Sequence, residues 1–251
     1  MDQLGDILSQ KEVIFDPTWT QGCVKKFKMI LKSDLFRANK EWLFEKLGLY
    51  LESMESAIDS VRQEDRDWIR QIEITSADDI DDQQEHLHLH ALLFEEDFPS
   101  KLRYSFILLS YMLFESRCKE LAKELSNRGQ AGGLTLKKDS GESFPQAVRR
   151  FLRCLPKPLI TVNESIWFEF DEINNLRNCI VHVNGDVEAF SQREAIVEII
   201  KKKTGQGLTL NERGFVQIDH AYCIHVVEVV KSFFDQILDD AGFGPAQEVI
   251  R

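Results

Sequence analysis

The sequence has no apolar run that approaches the roughly 18 residues of a membrane-spanning helix. Its first residues, MDQLGDILSQKEVIF, lack the basic start and the long apolar segment of a signal peptide. It has only five cysteines, none of them in the CxxC pair typical of structural zinc sites. An odd cysteine count without an export signal also argues against disulfides. We therefore expect a cytoplasmic protein with reduced thiols, no membrane segment and no structural metal.

The sequence also lacks an excess of positive charge, since 31 Lys and Arg stand against 42 Asp and Glu and the net charge is -11. Proteins that bind nucleic acid over a broad surface neutralise phosphates with many Lys and Arg side chains, which this composition disfavours. Any contact with nucleic acid must therefore lie in a local basic pocket. Arg149, Arg150 and Arg153 form one local concentration of positive charge, either as a solvated helix face or as a surface that attracts phosphate.

Helical periodicity dominates the rest of the chain, which predicts an all-α bundle with at most one small β-hairpin. The predicted helices cover residues 18–33, 34–73, 101–126, 145–155, 164–183, 191–203 and 219–240. Asp34 is the expected N-cap of the second helix, and Thr161 with Glu164 is the expected capping box of the fifth. Asn184 and Gly185 form its stop signal. The hairpin is expected around residues 211–214.

Three regions follow from these patterns: an N-terminal helical extension (1–75), an acidic linker (76–100) and a helical domain (101–251). In the first region, apolar residues recur at alternating spacings of four and three, which is typical of a coiled-coil seam. These residues are Leu47, Leu51, Met54, Ile58 and Val61. The helix that carries them packs on its own protein or forms a dimer arm.

Three histidines alternate in the linker: His86, His88 and His90. An extended backbone would place all three imidazoles on one side, as in a transition-metal site. Solvated histidines in an acidic loop explain the same pattern, and no further histidine or cysteine nearby in sequence completes a ligand set. We expect no bound metal.

The stretch LRNCIVHVNG (176–185) places three polar side chains at the end of the helix predicted over residues 164–183. On a helical wheel Arg177 falls within the apolar stripe, while Asn178 and His182 lie along one edge, four residues apart. An unpaired guanidinium in a core is very costly. Arg177 is therefore either a structural residue held by a carboxylate such as Glu115, or an anion-binding residue at the mouth of a cleft.

The segment from Arg177 to His182 resembles the R-x4-H motif of the HEPN superfamily, in which a polar residue follows the arginine. The motif ends a long amphipathic helix, and an earlier helix bears the acidic Glu115. The resemblance covers roughly residues 101–240 and implies a HEPN-like helical bundle that dimerises with its motif helices facing each other.

Many HEPN proteins are metal-independent ribonucleases, so the resemblance implies an RNA substrate and no cofactor. It implies that His182 acts as general base or acid, that Arg177 binds the phosphate, that Asn178 orients the imidazole or the phosphate, and that Glu115 positions Arg177. Such nucleases occur as toxins or phage-defence effectors, which have neutralising or regulatory protein partners. The alternative is a HEPN-fold protein without catalysis that binds a nucleotide or a partner.

Overall fold

The structure is a computed structural model that describes residues 21–71, 85, 87–159 and 162–242, with side chains from residue 41 onward except that of residue 71. The described chain confirms the expected all-α fold with one hairpin. Its helices are α1 (Gln21–Gln71), α2 (Phe98–Asn127), α3 (Phe144–Cys154), α4 (Glu164–Val183), α5 (Arg193–Lys203) and α6 (His220–Asp240). A π-helical turn (Leu92–Asp97) precedes α2, and a 3-10 turn (Thr204–Gln206) follows α5. The antiparallel strands are β1 (Leu208–Leu210) and β2 (Val216–Ile218).

The N-terminal region differs from the prediction, because a single helix replaces the two expected ones. Asp34 lies inside α1 and does not cap a second helix. The first four positions of the predicted seam are buried: Leu47, Leu51, Met54 and Ile58. They join the main core, since α1 packs on α2 and α6 of the same chain. This seam therefore contributes to the fold of a single chain.

The predicted linker is helical where it is described, at residue 85 and from residue 87 to residue 100. His90 donates or accepts through Nδ1 at 2.9 Å from the carboxylate of Asp65, and its ring stacks on Trp68 with 4.2 Å between centroids. The extended arrangement is thus wrong for His88 and His90, while His86 lies outside the described residues. No group of three potential metal ligands occurs in the described part of the chain.

Aromatic side chains build the core that fixes α4 against α2 and α6. The rings of Phe114 in α2 and Phe170 in α4 stack with 4.0 Å between their centroids. Phe233 of α6 meets both rings edge-on. All three side chains are fully buried, and burial of a phenylalanine contributes about 1.5–3 kcal/mol. None of the described helices has an apolar stretch long enough to span a membrane.

The helix boundaries follow local capping chemistry. Ser143 and Gln146 form a capping box at the start of α3, where Pro145 occupies the first turn as predicted. Asn163 caps α4 by accepting a hydrogen bond from the backbone of Ser165. The expected capping residue Thr161 lies outside the described residues. The predicted hairpin forms, with Leu208 paired to Ile218 at its open end.

Candidate functional site

The buried face of α4 rotates along the helix. Trp167, Phe170 and Ile173 in its first half are buried as predicted, and so is Ile180 in its second half. The fully buried residues of the second half, however, are Leu176 and Cys179, which lie outside the predicted stripe. Val181, expected in the apolar stripe, is 46% exposed. The first half packs on the aromatic core, whereas Cys179 in the second half faces the chain after the helix, with Sγ 3.9 Å from the carbonyl of Asp186. Arg177 therefore lies at the edge of the buried face and not in its middle.

Arg177 is half-buried and lies against an aromatic ring. Its guanidinium carbon is 5.8 Å from the ring centroid of Tyr111. Its Nη1 donates a hydrogen bond of 3.0 Å to Oδ1 of Asn178. Such cation–π contacts stabilise a guanidinium without neutralising its charge. The arginine is thus held in place with its charge still available to an anion.

The expected ion pair between Glu115 and Arg177 is not formed. The carboxylate of Glu115 instead lies 3.7 Å from Nζ of Lys119, one turn further along α2. In the described part of the chain, Arg177 makes no ion pair with any carboxylate. Among the described residues, the interpretation of Arg177 as a structural residue held by a carboxylate is therefore wrong. Its position at the edge of a cleft agrees with the other interpretation, that of an anion-binding residue.

Glu115, Arg177 and Asn178 line one groove of about 660 Å³ between α2, α4 and the segment before α3. Its floor includes Tyr111, whose hydroxyl donates a 2.7 Å hydrogen bond to Oδ1 of Asn174. Burial and the nearby Glu115 raise the pKa of Tyr111, so its hydroxyl stays protonated and can donate. Other polar side chains in the lining are Lys119, Lys138, Glu142, Ser143, Gln146, Asn175 and Gln192.

Sequence reasoning missed these additional lining residues. Asn174 had a usable signal, because it precedes Arg177 by three positions and Asn178 by four and therefore shares their helix face. Lys138 lies outside the described helices and strands, and Gln146 lies on α3. Only tertiary packing brings these two residues to the groove, so no local pattern predicts them.

His182 lies apart from the groove. It is exposed in the last turn of α4, one turn beyond Asn178, and it does not line the groove of its own chain. The motif cysteine between them, Cys179, is buried, and burial raises its pKa to about 11. That thiol is neutral near neutral pH and is not a nucleophile.

The end of the motif helix is anchored on both sides. Asn184 adopts a left-handed conformation with φ of 58°, as expected of the predicted stop signal. Lys101 donates to its side-chain oxygen at 2.9 Å. The backbone carbonyl of Gly185 accepts from the amide of Val216 at 2.9 Å, which ties the turn to the hairpin. The position of His182 is thus set by contacts of α2 and β2 with the turn that follows it.

The arginines of α3 do not supply free positive charge. Arg149 and Arg153 both pair with Glu164 at the start of α4. Arg150 pairs with Asp139 at 3.0 Å and Glu142 at 2.9 Å. These three arginines are neutralised within the chain, so the expectation of a phosphate-attracting surface on α3 is not supported.

Comparison of the chain with protein-family models, with curated proteins and with solved structures found no match. The chemistry of the site therefore has to be inferred from its own residues. Arg177 is a half-buried guanidinium without a carboxylate partner among the described residues, with an amide beside it and an exposed imidazole one turn further along the helix. Groups of these types bind an anion and move a proton.

Proposed function

We propose that the chain is a metal-independent endoribonuclease of the HEPN type. The observation that carries the proposal is the state of Arg177, which is fixed by Tyr111 and Asn178 and has no carboxylate partner among the described residues. A guanidinium held in this way is preorganised for a phosphate, because its planar donors need not reorganise when the anion arrives. The resemblance of residues 177–182 to the R-x4-H motif supports the same function.

In the proposed reaction the ribose 2′-oxygen attacks the adjacent phosphorus. The new bond joins phosphorus to O2′ and the bond to O5′ breaks, which gives a 2′,3′-cyclic phosphate and a 5′-hydroxyl. A base removes the 2′-OH proton, and an acid delivers a proton to O5′. We assign proton transfer in this reaction, as base or as acid, to the imidazole of His182. Arg177 stabilises the additional negative charge of the phosphorane, and Asn178 keeps the guanidinium oriented.

His182 does not line the groove that contains Arg177 of its own chain, so the mechanism needs an arrangement that brings the two side chains to one phosphate. We propose a homodimer in which two α4 helices face each other, so that the arginines and histidines of both chains surround one phosphate. A positive field confined to that interface reconciles an RNA substrate with a net charge of -11. The biological setting we propose is a cytoplasmic toxin or phage-defence effector with a neutralising or regulatory protein partner.

The experiment is cleavage of a labelled RNA in the presence of EDTA, with the product ends identified. We expect 2′,3′-cyclic phosphate and 5′-hydroxyl ends, and loss of cleavage in His182→Ala with the folded dimer retained. His220→Ala is a matched control, because His220 is also exposed, lies at the start of α6 and has no assigned role. Cleavage that persists in His182→Ala contradicts the proposal.

A second candidate function is binding of RNA or a nucleotide without cleavage. The observation that favours it is the exposure of His182 outside the groove, which leaves Arg177 and Asn178 as an anion-binding pair with no histidine among the described residues that line the groove. In that case His182→Ala leaves RNA affinity unchanged, and wild-type protein releases no cleaved ends, whereas Arg177→Ala weakens binding.

A further inference from the structure

Two carboxylates line the groove beside Arg177, those of Glu115 and Glu142. Glu142 accepts hydrogen bonds from Arg150, which leaves Glu115 as the carboxylate that is available to a ligand. Glu115 is half-buried in the lining, and its single described cationic neighbour, Lys119, is 3.7 Å away, which is beyond hydrogen-bond distance. A carboxylate next to a phosphate site is unfavourable because like charges repel. Its oxygens are instead suited to accept hydrogen bonds from N–H groups of a ligand.

Three carboxamides in the same groove have oxygens that are already occupied. Oδ1 of Asn178 accepts from the adjacent guanidinium, and Oε1 of Gln146 accepts from the backbone amide of Ser143 at 3.0 Å. The guanidinium of Arg177 and the backbone amide of Ser143 can only donate hydrogen bonds, so they fix the orientation of the Asn178 and Gln146 side-chain amides. Oδ1 of Asn174 accepts from the hydroxyl of Tyr111. Among the described residues the three amide nitrogens have no acceptor, so each is available to donate to a ligand.

One available carboxylate beside several N–H donors is a pattern that distinguishes among the four bases of RNA. The Watson–Crick edge of guanine carries two adjacent donors, N1–H and N2–H, followed by the acceptor O6. Adenine, cytosine and uracil each present at most one donor group on that edge, with acceptors beside it. Unpaired bases in RNA are commonly recognised on this edge. The pattern therefore matches guanine better than the other three bases.

We infer that this groove is a guanine-binding subsite for single-stranded RNA, an inference that rests on the proposed RNA substrate. Glu115 accepts from N1–H and N2–H of the base, and the amide nitrogens of Asn174 and Gln146 donate to O6. The exposed Lys138 meets a flanking phosphate. The scissile phosphate lies at Arg177, so guanine is selected at a fixed position next to the cut. Glu115 is a specificity-determining residue in this arrangement.

The test measures binding of fluorescein-labelled hexanucleotides to the His182→Ala protein, which keeps the groove and does not cleave. The probes are UUGUUU, UUAUUU, UUUUUU and versions with inosine or 7-deazaguanine in place of G. We expect UUGUUU to bind about tenfold more tightly than UUAUUU. Inosine lacks the N2 amino group and binds with intermediate affinity, while 7-deazaguanine binds like guanine because N7 makes no contact.

Two nearly isosteric variants test the residues. Glu115→Gln removes the acceptor pair and is expected to abolish the preference for guanine over adenine. Gln146→Glu keeps the oxygen that Ser143 needs but replaces the donor, and is expected to reduce the same preference. The readout is the ratio of the two affinities, because a change of net charge alters both alike.

Glu120→Gln is the matched control for the loss of one negative charge. Glu120 is exposed on the same helix, α2, and does not line the groove. It accepts a hydrogen bond from Arg117, and the amide oxygen of a glutamine can still accept that bond. The control is therefore expected to keep the full preference for guanine over adenine.

The outcomes separate this inference from the proposed function. Equal affinities for UUGUUU and UUAUUU, or a preference that survives Glu115→Gln, overturn the guanine subsite even if the protein cleaves RNA. A guanine preference that depends on Glu115 supports the subsite even if wild-type protein proves unable to cleave. If cleavage occurs, sequencing of the cut ends is expected to show guanine enriched at one position, and random flanking bases overturn the inference.

Discussion

The guanidinium of Arg177 lies over the ring of Tyr111, with 5.8 Å between the guanidinium carbon and the ring centroid. The two residues belong to α4 and α2, so the contact links the motif helix to its neighbour. The hydroxyl of the same tyrosine donates to Asn174, one turn before the arginine. One side chain thus supports the arginine with its ring and the helix with its hydroxyl.

Tyr111→Phe is expected to separate these two roles. The variant keeps the ring below Arg177 and loses one buried hydrogen bond, which lowers the free energy of unfolding by about 1 kcal/mol. Tyr111→Leu also loses the ring and is expected to cost about 2–3 kcal/mol more, since large-to-small substitutions in a core leave a cavity. Urea unfolding of the three proteins checks this order. Equal stability of the Phe and Leu variants contradicts a role for the ring.

Gly185→Ala is expected to be strongly destabilising. Gly185 has φ of +83°, and a Cβ there would overlap the hydroxyl of Tyr104. Gly133 offers a matched control, because its φ is +84° but no atom lies within 4 Å of an added Cβ. Backbone strain alone costs about 1 kcal/mol, so Gly133→Ala measures that part. We expect the loss of unfolding free energy in Gly185→Ala to be at least about twice as large, as measured by thermal or urea unfolding.

Glu55→Ala tests whether α1 is part of the same cooperative unit as the rest of the bundle. Glu55 accepts two hydrogen bonds from the buried Arg103 of α2, at 2.8 and 2.6 Å. Removal of one partner leaves a buried charge unpaired, which costs about 3 kcal/mol. Asp67→Ala is the control, because the Asp67–Arg70 pair is exposed and contributes less than about 1 kcal/mol. A single, shifted unfolding transition is expected, whereas a separate early transition contradicts the common core.

Glu169 is expected to make stability depend on acid pH. Burial raises the pKa of this carboxyl, but hydrogen bonds from His225 and Lys203 outweigh burial and hold the pKa below its usual value. A depressed native pKa stabilises the fold above the unfolded pKa of about 4.3, and this contribution is lost as the pH falls through the native value. Glu169→Gln should therefore be less stable than wild type at pH 6, with the difference narrowing below about pH 4.3.

The measurement is the urea midpoint of both proteins between pH 3 and pH 7. Glu198→Gln serves as the control, because Glu198 is exposed on α5 and is expected to change the midpoint little at any pH. A stability difference between wild type and Glu169→Gln that does not change with pH contradicts the assigned ion pairs.

Local signals predicted much of the fold. The start of α3 with Pro145 in its first turn, the stop at Asn184 and Gly185, and the hairpin near Asn211 are confirmed because each depends on a few neighbouring residues. The continuation of α1 through Asp34 was not predicted. A residue that often caps helices can also lie inside a helix when the turns on both sides of it are helical.

The site was predicted less well than the fold because its geometry depends on packing. The helical wheel assumes one constant buried face, whereas the buried face of α4 turns between Phe170 and Cys179 as its neighbours change. This rotation moves Arg177 to the edge of a groove. Likewise, Glu115 pairs with Lys119 on its own helix. Sequence spacing alone does not distinguish this pair from a contact between Glu115 and Arg177 on α4.

The role of Arg177 in RNA cleavage is tested by the single-turnover rate of cleavage at saturating protein in EDTA, for wild type and variants of Arg177. We expect a loss of at least about 100-fold in Arg177→Ala. Arg177→Lys should keep RNA affinity but lose most of the rate, because an ammonium lacks the planar donors. Arg193→Ala, which removes an exposed arginine paired with Glu188, should cleave at the wild-type rate. A wild-type rate in Arg177→Ala means that Arg177 does not take part in RNA cleavage and overturns the proposed function.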